Sequence, residues 1–368
     1  MRMRSTVAGA AALVLAASGC AGGPAEVGDP ARQPEGAEGR SLPPGEPENV
    51  ATGLRTPWDI AFLPDGAALV SERDSGRVVR VEPGKDTEEA GVVEGVASGG
   101  EGGLLGLAIS PDFASDSAVY AYFTTDDDNR IVRMDYDRAE GLGAAEVVVD
   151  KIPKASTHNG GRIAFGPDGM LYAGTGDAGS PERSQDIDSP AGKILRMTPE
   201  GEPAEGNPFD NLVYSYGHRN VQGLAWDEDG QLFGVEFGQN TFDEVNMIQP
   251  GANYGWPEVE GTGGGDDYVD PIVTWSTEEA SPSGVAVADG SLWVAALRGE
   301  RLWRVPLTGD EDAPVLEPEA LYVGEYGRLR AVAAEPGGAA VWVSTSNHDG
   351  RGVAAEDDDR LLRVPLED

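Results

Sequence analysis

The chain has 368 residues, with 27 Lys and Arg against 64 Asp and Glu, so its formal net charge is −37. This charge argues against nucleic acid as a partner, because a phosphate binder needs a basic surface, and against docking on anionic lipid through basic patches. A hydrophobic content of 39% allows a sizeable core, and 52 Gly with 26 Pro are far more turn residues than a helical bundle carries.

The N-terminus has the pattern of an export signal. Arg2 and Arg4 precede an apolar run over residues 6–17, and small residues then lead to Cys20, the only cysteine. This pattern predicts a secretory signal over residues 1–20, and the run is too short to span a bilayer comfortably. The position of Cys20 resembles a bacterial lipoprotein lipobox, which predicts an exported protein, lipid-anchored on the outer face of the cytoplasmic membrane. An ordinary signal peptide with an incidental cysteine is the alternative, and a periplasmic or extracellular location is the alternative to the lipid-anchored one.

A linker and one folded domain follow the signal. Residues 21–47 are mostly Gly, Pro, Ala and Glu with almost no large apolar side chain, which predicts a disordered tether. Residues 48–368 contain the apolar strands and are expected to form a single domain. A single cysteine excludes an intrachain disulfide and a cysteine-based zinc site.

The domain repeats one pattern six times. Each copy has an apolar strand, a turn with an acid and Gly or Pro, a second apolar strand, and later a strand with Arg or Asn between apolar residues. The turns are 47, 56, 61, 60 and 47 residues apart, and such a period built of short strands predicts an all-β, six-bladed β-propeller. We expect residues 49–51 to supply the outer strand of the last blade and close the ring, which removes sheet edges. The turns are marked by Asp65, Asp112, Asp168, Asp229, Asp289 and Pro336.

Polar residues beside the first strand of each copy are the candidates for a binding site, since propellers bind ligands at one end of the central axis. Arg328 and Arg330 flank one residue at a strand start, so their side chains point the same way. Arginine recognises carboxylates in a planar, bidentate manner, which suggests an anion held at the axis. Pairing with surface acids is the alternative. The full set is Glu101, His158, Arg219, Asn220, Gln222, Arg298, Arg328 and Arg330.

His158 is the histidine placed at the start of an inner strand. It could serve as a general base, or it could be a hydrogen-bonded structural residue, and the residues alone leave both interpretations open. The sequence contains no zincin, nucleophile-elbow, Walker A or Rossmann motif.

Taken in order, these segments resemble the soluble quinoprotein glucose and aldose sugar dehydrogenases, which are also described as glucose/sorbosone dehydrogenases. That family consists of six-bladed propellers that use pyrroloquinoline quinone (PQQ) and calcium, and the resemblance covers about residues 49–368. It is carried by Gly102–Phe113, His158–Asp177, Tyr216–Trp226, Asp243–Pro257 and Gly324–Val332.

The resemblance implies a role for each matching residue. His158 matches the base that takes the proton of the anomeric hydroxyl, Asp177 the acid that orients it, and Arg219 the group that stabilises the developing oxyanion. The remaining matches are, for cofactor binding, Glu101, Arg219, Asn220, Gln222, Arg298, Arg328, Arg330 and, more loosely, Trp275; for the PQQ-bound calcium, the backbone carbonyls of Gly238 and Gln239; and for a second, structural calcium, Glu244 and Tyr254.

The implied activity is the oxidation of aldoses to lactones, with electrons passed to an external acceptor. Glu101 stands where the glucose enzyme has glutamine, and the chain lacks that enzyme's long insertions, so the compact, broad-specificity aldose type is expected. Two alternatives stay open: a calcium-dependent lactonase on a similar propeller, which would leave the arginine pair unexplained, and a non-catalytic surface protein that binds sugar.

Overall fold

The structure is a computed structural model, and it describes residues 44–310 and 313–366. The predicted signal, Cys20 and linker residues 21–43 lie outside the described residues. Within the described linker, the Gly45 N–H donates to the Pro365 carbonyl (2.8 Å). Gly45, which the sequence places in the linker, therefore contacts the folded domain. No helix among the residues described is long and apolar enough to cross a membrane.

The described residues form six antiparallel sheets, each with a main path of four strands. In the first five blades these strands follow chain order from the inner to the outer edge, and in the last blade the outermost strand comes from the start of the domain. The first blade consists of β2 (Pro57–Phe62), β3 (Ala68–Glu72), β4 (Arg77–Val81) and β5 (Glu88–Val92). The second consists of β6 (Leu104–Ile109), β7 (Ala118–Thr124), β8 (Asn129–Asp137) and β10 (Glu146–Ile152), with β9 (Gly141–Leu142) paired to β8. The third consists of β11 (Ile163–Phe165), β12 (Leu171–Gly174), β13 (Lys193–Met197) and β14 (Val213–Tyr216).

A short helix, α1 (Phe113–Asp116), joins β6 to β7 in the second blade, and two short 3₁₀ segments cover Pro181–Gln185 and Gly265–Asp267.

The last three blades also have four strands each. The strands are β15 (Val221–Trp226), β16 (Leu232–Glu236), β17 (Phe242–Ile248) and β18 (Val273–Ser276); β19 (Pro282–Ala288), β20 (Ser291–Ala296), β21 (Arg301–Pro306) and β22 (Glu319–Leu321); and β23 (Leu329–Ala334), β24 (Ala340–Thr345), β25 (Leu361–Pro365) and β1 (Glu48–Ala51).

The sheets close into a ring, which confirms the predicted six-bladed β-propeller. The innermost strands contact one another in the cyclic order β2, β6, β11, β15, β19, β23 and back to β2. Strand β1 pairs antiparallel with β25, with Glu48 opposite Arg363 and Ala51 opposite Leu361. The segment before the first repeat therefore supplies the outer strand of the last blade, as its sequence predicts.

The repeated Asp–Gly turn and the repeated arginine belong to one local device. Asp65 lies in the turn between β2 and β3, and its carboxylate accepts the Ala67 N–H (3.1 Å) and a guanidinium N–H of Arg80 in the third strand (2.6 Å). In the third blade, Asp168 and Arg196 make the same pair (2.9 Å). In these two blades the acid thus fixes the inner hairpin and ties it to the third strand.

The acid turns lie at the ends where the chain leaves the inner strands, and the candidate site lies at the opposite ends. The chain enters each inner strand at that second end, where the strand-entry loops of neighbouring blades meet. The strands are buried on both faces because blades stack on each other, so they are almost continuously apolar. Beside the axis, Asp59 of β2 pairs with Arg162, and Arg162 lies over the Trp58 ring at 4.5 Å.

Candidate active site

Loops from separate blades bring most of the predicted residues into one hydrogen-bonded network. The His158 backbone N–H donates to Glu101 Oε2 (2.9 Å), and Arg219 Nη2 lies 2.9 Å from His158 Nε2. Asn220 Oδ1 accepts the Gly160 N–H (2.9 Å). The strand-entry loops of the second, third and fourth blades therefore converge, as expected for residues at one end of the axis.

His158 and Asp177 form a close pair. His158 Nδ1 lies 2.7 Å from Asp177 Oδ1, and His158 adopts a left-handed backbone (φ 57°), which is uncommon for a residue other than glycine. Gly176 permits the approach, since a Cβ there would lie 2.0 Å from the His158 carbonyl oxygen. The pairing is the geometry of an imidazole oriented by a carboxylate.

The partners of His158 define its tautomer. Arg219 can only donate, so Nε2 facing it is the acceptor, and Nδ1 carries the proton that Asp177 accepts. Burial would raise the pKa of Asp177, but the hydrogen bond from His158, with two further N–H donors, holds it below its usual range. Asp177 is therefore an anion at neutral pH, and His158 Nε2 is an unprotonated acceptor that receives the hydrogen bond of Arg219.

One of those donors is a residue that the sequence did not single out. Trp256 Nε1 donates to Asp177 Oδ2 (2.9 Å), while the Gly179 N–H donates to Oδ1 (2.7 Å). The Arg219 guanidinium also lies over the Trp256 ring, 5.4 Å from its centroid. Trp256 lies within the Asp243–Pro257 segment of the resemblance, but nothing in its spacing marks it as a partner of Asp177.

Arg219 links the histidine to the loop between β16 and β17. Its guanidinium donates to the Phe237 carbonyl (3.0 Å) and, through Nε, to Gln239 Oε1 (3.0 Å). Its backbone N–H donates to Glu236 Oε2 (2.7 Å). Burial lowers the pKa of Arg219, and the surrounding carboxylates, first of them Asp177, oppose this. A charged guanidinium is thus fixed beside the unprotonated ring nitrogen of His158.

The predicted arginine pair lies buried at the start of β23. Arg330 Nη1 donates to Gln222 Oε1 (2.9 Å), and Arg328 donates through Nε and Nη2 to Asp349 Oδ2 (3.0 and 2.8 Å). Burial, followed by repulsion from Arg73, lowers the pKa of Arg330 to about 9. Burial would raise the pKa of Asp349, but Arg328 holds it below its usual range. Asp349 is a second partner that the sequence did not reveal.

Two buried donors in this region are unsatisfied within the part of the chain that the structure describes. Asn220 Nδ2 and Arg330 Nε are almost fully shielded from solvent and have no hydrogen-bond partner there. A buried donor without an acceptor costs about 1–3 kcal/mol. The region therefore fits a ligand that is anionic and rich in acceptor oxygens.

Glu101 and an arginine from the last blade form the rim. Glu101 Oε2 accepts the His158 N–H, and Arg351 Nη2 lies 3.4 Å from Glu101 Oε1. The Arg351 side chain is 60% exposed, so this contact contributes little to stability. The contact places the long side chain of Arg351 and the Glu101 carboxylate next to His158.

Two predicted cofactor residues do not join this network. Trp275 lies in β18, the outermost strand of its blade, and stacks on Trp303 with ring centroids 5.0 Å apart. The expectation that Trp275 faces a ligand is therefore corrected: an outer-strand side chain packs between blades and cannot reach the axis. Arg298 is 55% exposed and lies 3.3 Å from the exposed Glu278, so its role stays a prediction.

The predicted calcium residues lie beside Arg219. Glu244 accepts the Gly261 N–H (2.7 Å) and an Asn246 side-chain N–H (3.1 Å), and burial, with the nearby Glu236 carboxylate, raises the pKa of Glu244 well above its usual range. Tyr254 is buried and donates its hydroxyl to the Met247 carbonyl (2.8 Å). Over the described ranges, no group of three or more His, Cys, Asp or Glu side chains could hold a metal.

The loop that carries the two predicted carbonyl ligands is tightly built. Gly238 donates its N–H to Asp243 Oδ1 (2.9 Å), and a Cβ at Gly238 would lie 1.7 Å from the Phe242 carbonyl oxygen. The next four backbone N–H groups, from Gln239 to Phe242, all donate to Glu260 Oε1. Any cation here would depend on backbone oxygens, which are ordinary ligands of calcium.

Comparison with known proteins identifies one family and a similar solved structure. The family described as Glucose / Sorbosone dehydrogenase matches residues 54–362. An aldose sugar dehydrogenase from Streptomyces coelicolor, solved in its PQQ-bound form, is 58% identical, with a TM-score of 0.85 over 89% of this chain and 100% of that chain.

Two further relatives match over shorter stretches. Quinoprotein glucose dehydrogenase B of Acinetobacter calcoaceticus is 31% identical over 66% of this chain, and the aldose sugar dehydrogenase YliI of Escherichia coli is 34% identical over 55% of it. Each of these alignments spans 59% of the relative's own length. With the family match covering most of the propeller, the chain belongs to the glucose/sorbosone dehydrogenase family.

Proposed function

We propose that the protein is a PQQ- and calcium-dependent aldose sugar dehydrogenase of broad specificity, which oxidises sugars at the anomeric carbon and passes the electrons to an external acceptor. One observation carries the proposal: His158 is oriented by Asp177 and turns an unprotonated Nε2 towards Arg219, next to buried donors that lack an acceptor. The Streptomyces coelicolor relative, which is similar over nearly the whole propeller, was solved with PQQ bound and supports the choice of cofactor.

The arginine region fits PQQ because that cofactor carries three carboxylates. Arg328 and Arg330 would bind carboxylate oxygens, and Asn220 Nδ2 and Arg330 Nε would gain the acceptors that they lack. Buried charged hydrogen bonds of this kind are worth about 1.5–3 kcal/mol each. Gln222 holds Arg330 in place from below through its 2.9 Å hydrogen bond.

The proton-transfer step follows from the tautomer of His158. When bound, PQQ with its calcium would supply the two-electron oxidant that takes the hydride from the anomeric carbon. His158 Nε2 accepts the proton of the anomeric hydroxyl, and the Asp177 anion stabilises the imidazolium that results. Arg219, fixed beside Nε2, provides positive charge where the sugar oxygen becomes negative. Loss of the proton and the hydride converts the aldose to its lactone.

Calcium is assigned to the loop between β16 and β17. The carbonyl oxygens of Gly238 and Gln239 are the candidate ligands for the ion that would accompany PQQ, and Gly238 fits because a side chain there would meet the Phe242 carbonyl. Glu244 and Tyr254 are candidates for a second, structural ion. The buried Glu244, whose pKa is raised by burial and by Glu236, would be stabilised as an anion by such a cation.

The location is proposed from the sequence. Cys20 follows a short apolar signal and has no other cysteine to pair with, so we propose that it carries a lipid that anchors the exported protein to the outer face of the cytoplasmic membrane. The following Gly- and Pro-rich linker would separate the propeller from the surface.

Reconstitution tests the activity. The purified apo-protein is loaded with PQQ and calcium, and dye reduction is measured with a panel of aldoses. Reduction with several aldoses is expected, since the rim around Glu101 and His158 contains no long insertion that would select one sugar. Bound PQQ without reduction by any sugar would favour a non-catalytic sugar-binding propeller instead.

A further inference from the structure

The Glu260 carboxylate collects a run of backbone N–H groups from the loop between β16 and β17. The N–H groups of Gln239, Asn240, Thr241 and Phe242 donate to the same oxygen, Oε1, at 2.6, 3.0, 3.0 and 3.2 Å. The Glu260 carboxylate is therefore enclosed in a row of backbone amides, as in backbone anion nests.

This arrangement determines where two carbonyl groups point. In a trans peptide the C=O and the N–H of the same plane point in opposite directions. The N–H of Gln239 shares its peptide plane with the carbonyl of Gly238, and the N–H of Asn240 shares its plane with the carbonyl of Gln239. Because both N–H groups donate to Glu260, both carbonyls are directed away from it.

These two carbonyls are the candidate ligands for the calcium that would accompany PQQ. We infer that Glu260 is a positioning residue that orients the Gly238 and Gln239 carbonyl oxygens for that calcium without touching the ion. The inference rests on the proposed function and assigns a role to a residue that the proposed chemistry does not otherwise use.

Two further features support this role. Asp243 accepts the N–H groups of Gly238 (2.9 Å) and Ser281 (2.5 Å), so the start of the loop is held by a second carboxylate in the same manner. Hydrogen bonds in a chain polarise one another, so an amide that donates to an anion has a more strongly negative carbonyl oxygen. Glu260 therefore both directs the carbonyls and strengthens them as ligands.

The substitutions Glu260→Ala and Glu260→Gln separate these effects. Alanine removes the acceptor of four N–H groups, whereas glutamine keeps an amide oxygen that can accept them without the charge. Loss of a group that orients metal ligands typically weakens metal affinity about 10- to 100-fold. Glu258→Gln is the matched control, because Glu258 is an exposed acid two positions from Glu260 and its substitution removes the same charge.

The measurement is equilibrium dialysis of PQQ against the apo-protein at buffered free calcium concentrations. For Glu260→Ala we expect the calcium concentration that half-saturates PQQ binding to rise about 10- to 100-fold, with PQQ binding restored at saturating calcium. Glu260→Gln should fall between this variant and the wild type, and Glu258→Gln should match the wild type.

Several results would overturn the inference. An unchanged calcium requirement in Glu260→Ala would show that the carbonyls do not depend on Glu260. Loss of PQQ binding at every calcium concentration in both Glu260 variants would show that the residue merely maintains the blade. Calcium-independent PQQ binding by the wild type would contradict the premise that calcium holds PQQ at these carbonyls. Dye reduction by the wild type, measured on the same preparation, tests the proposed function separately, because the calcium comparison needs no sugar.

Discussion

Replacement of Asp177 by asparagine tests how the histidine is held. The Asp177 carboxylate accepts three N–H groups: His158 Nδ1 and the Gly179 backbone on Oδ1, and Trp256 Nε1 on Oδ2. An amide has one oxygen and one NH₂ group, so in either orientation Asp177→Asn turns a donor towards a donor. One buried unsatisfied donor costs about 1–3 kcal/mol, and we expect the free energy of unfolding to fall by that amount.

The same substitution should slow the chemical step to a limited extent. A hydrogen bond to a charged group is worth about 1.5–3 kcal/mol and a neutral one about 0.5–1.5 kcal/mol, so the imidazolium loses about 1–2 kcal/mol of stabilisation. At 1.4 kcal/mol per tenfold change, proton transfer slows about 5- to 30-fold. His158→Gln removes the base itself and should cost about 10²-fold or more.

Trp256→Phe supplies the control, because it removes the donor opposite Oδ2 and keeps an aromatic ring under Arg219. In a Trp256→Phe background, the asparagine can turn its NH₂ group to the vacated side. The stability cost of Asp177→Asn should therefore shrink by about 1–3 kcal/mol, while turnover stays slow because the charge is still missing.

The assays are denaturant unfolding of the four proteins of this cycle and single-turnover reduction of bound PQQ at saturating aldose. Additive effects on unfolding would refute the shared acceptor, since the two residues would then act independently. Wild-type turnover in Asp177→Asn would refute the role of the carboxylate in orienting and stabilising His158.

Three further predictions concern the cofactor, the pH dependence of stability and the anchor. Arg328→Ala or Arg330→Ala should weaken PQQ affinity about 10- to 100-fold, from a loss of about 1.5–3 kcal/mol in charged hydrogen bonds, with turnover largely rescued by excess PQQ; turnover that stays low at saturating PQQ would contradict a binding role. Asp349 has a pKa below its usual range because of Arg328, so its contribution to stability is present above the unfolded-state pKa and is lost as the pH falls through the folded-state pKa. Asp349→Asn should therefore melt below the wild type at pH 7, and the gap between the two melting temperatures should narrow only below about pH 4, as the pH falls towards the folded-state pKa; a constant gap there would argue against the ion pair. Cys20→Ser should release the protein from the membrane fraction without changing the melting temperature of the propeller, and a variant that stays wholly membrane-bound would exclude a lipid anchor at this residue.

The fold could be predicted from the sequence because one local device recurs. The acid turn and the third-strand arginine bind each other in the first and third blades, as Asp65 with Arg80 and Asp168 with Arg196, so the spacing of such residues reports the spacing of blades. Ring closure could also be predicted, since residues 48–51 form a strand with no partner in the first blade and pair with β25.

The site could be predicted only in part, and the physical reason is its position on loops. His158 and Arg219 precede inner strands, where the repeat fixes their location. Trp256, Asp349 and Glu260 lie on long loops whose paths do not follow the repeat, so their contacts are determined by tertiary packing. The prediction that Trp275 faces a ligand was wrong for a different reason: its strand follows the repeat, but that strand is the outermost of its blade.

The proposed enzyme is tested most directly by mixing PQQ-loaded, calcium-saturated protein with excess aldose and following the absorbance of the bound quinone. We expect the wild type to reduce its bound PQQ stoichiometrically, and His158→Gln, loaded to the same extent, to do so at least about 10²-fold more slowly. Equal rates for the two proteins, or no reduction by the loaded wild type with any aldose, would contradict the assignment of His158 as the base of a PQQ-dependent sugar oxidation.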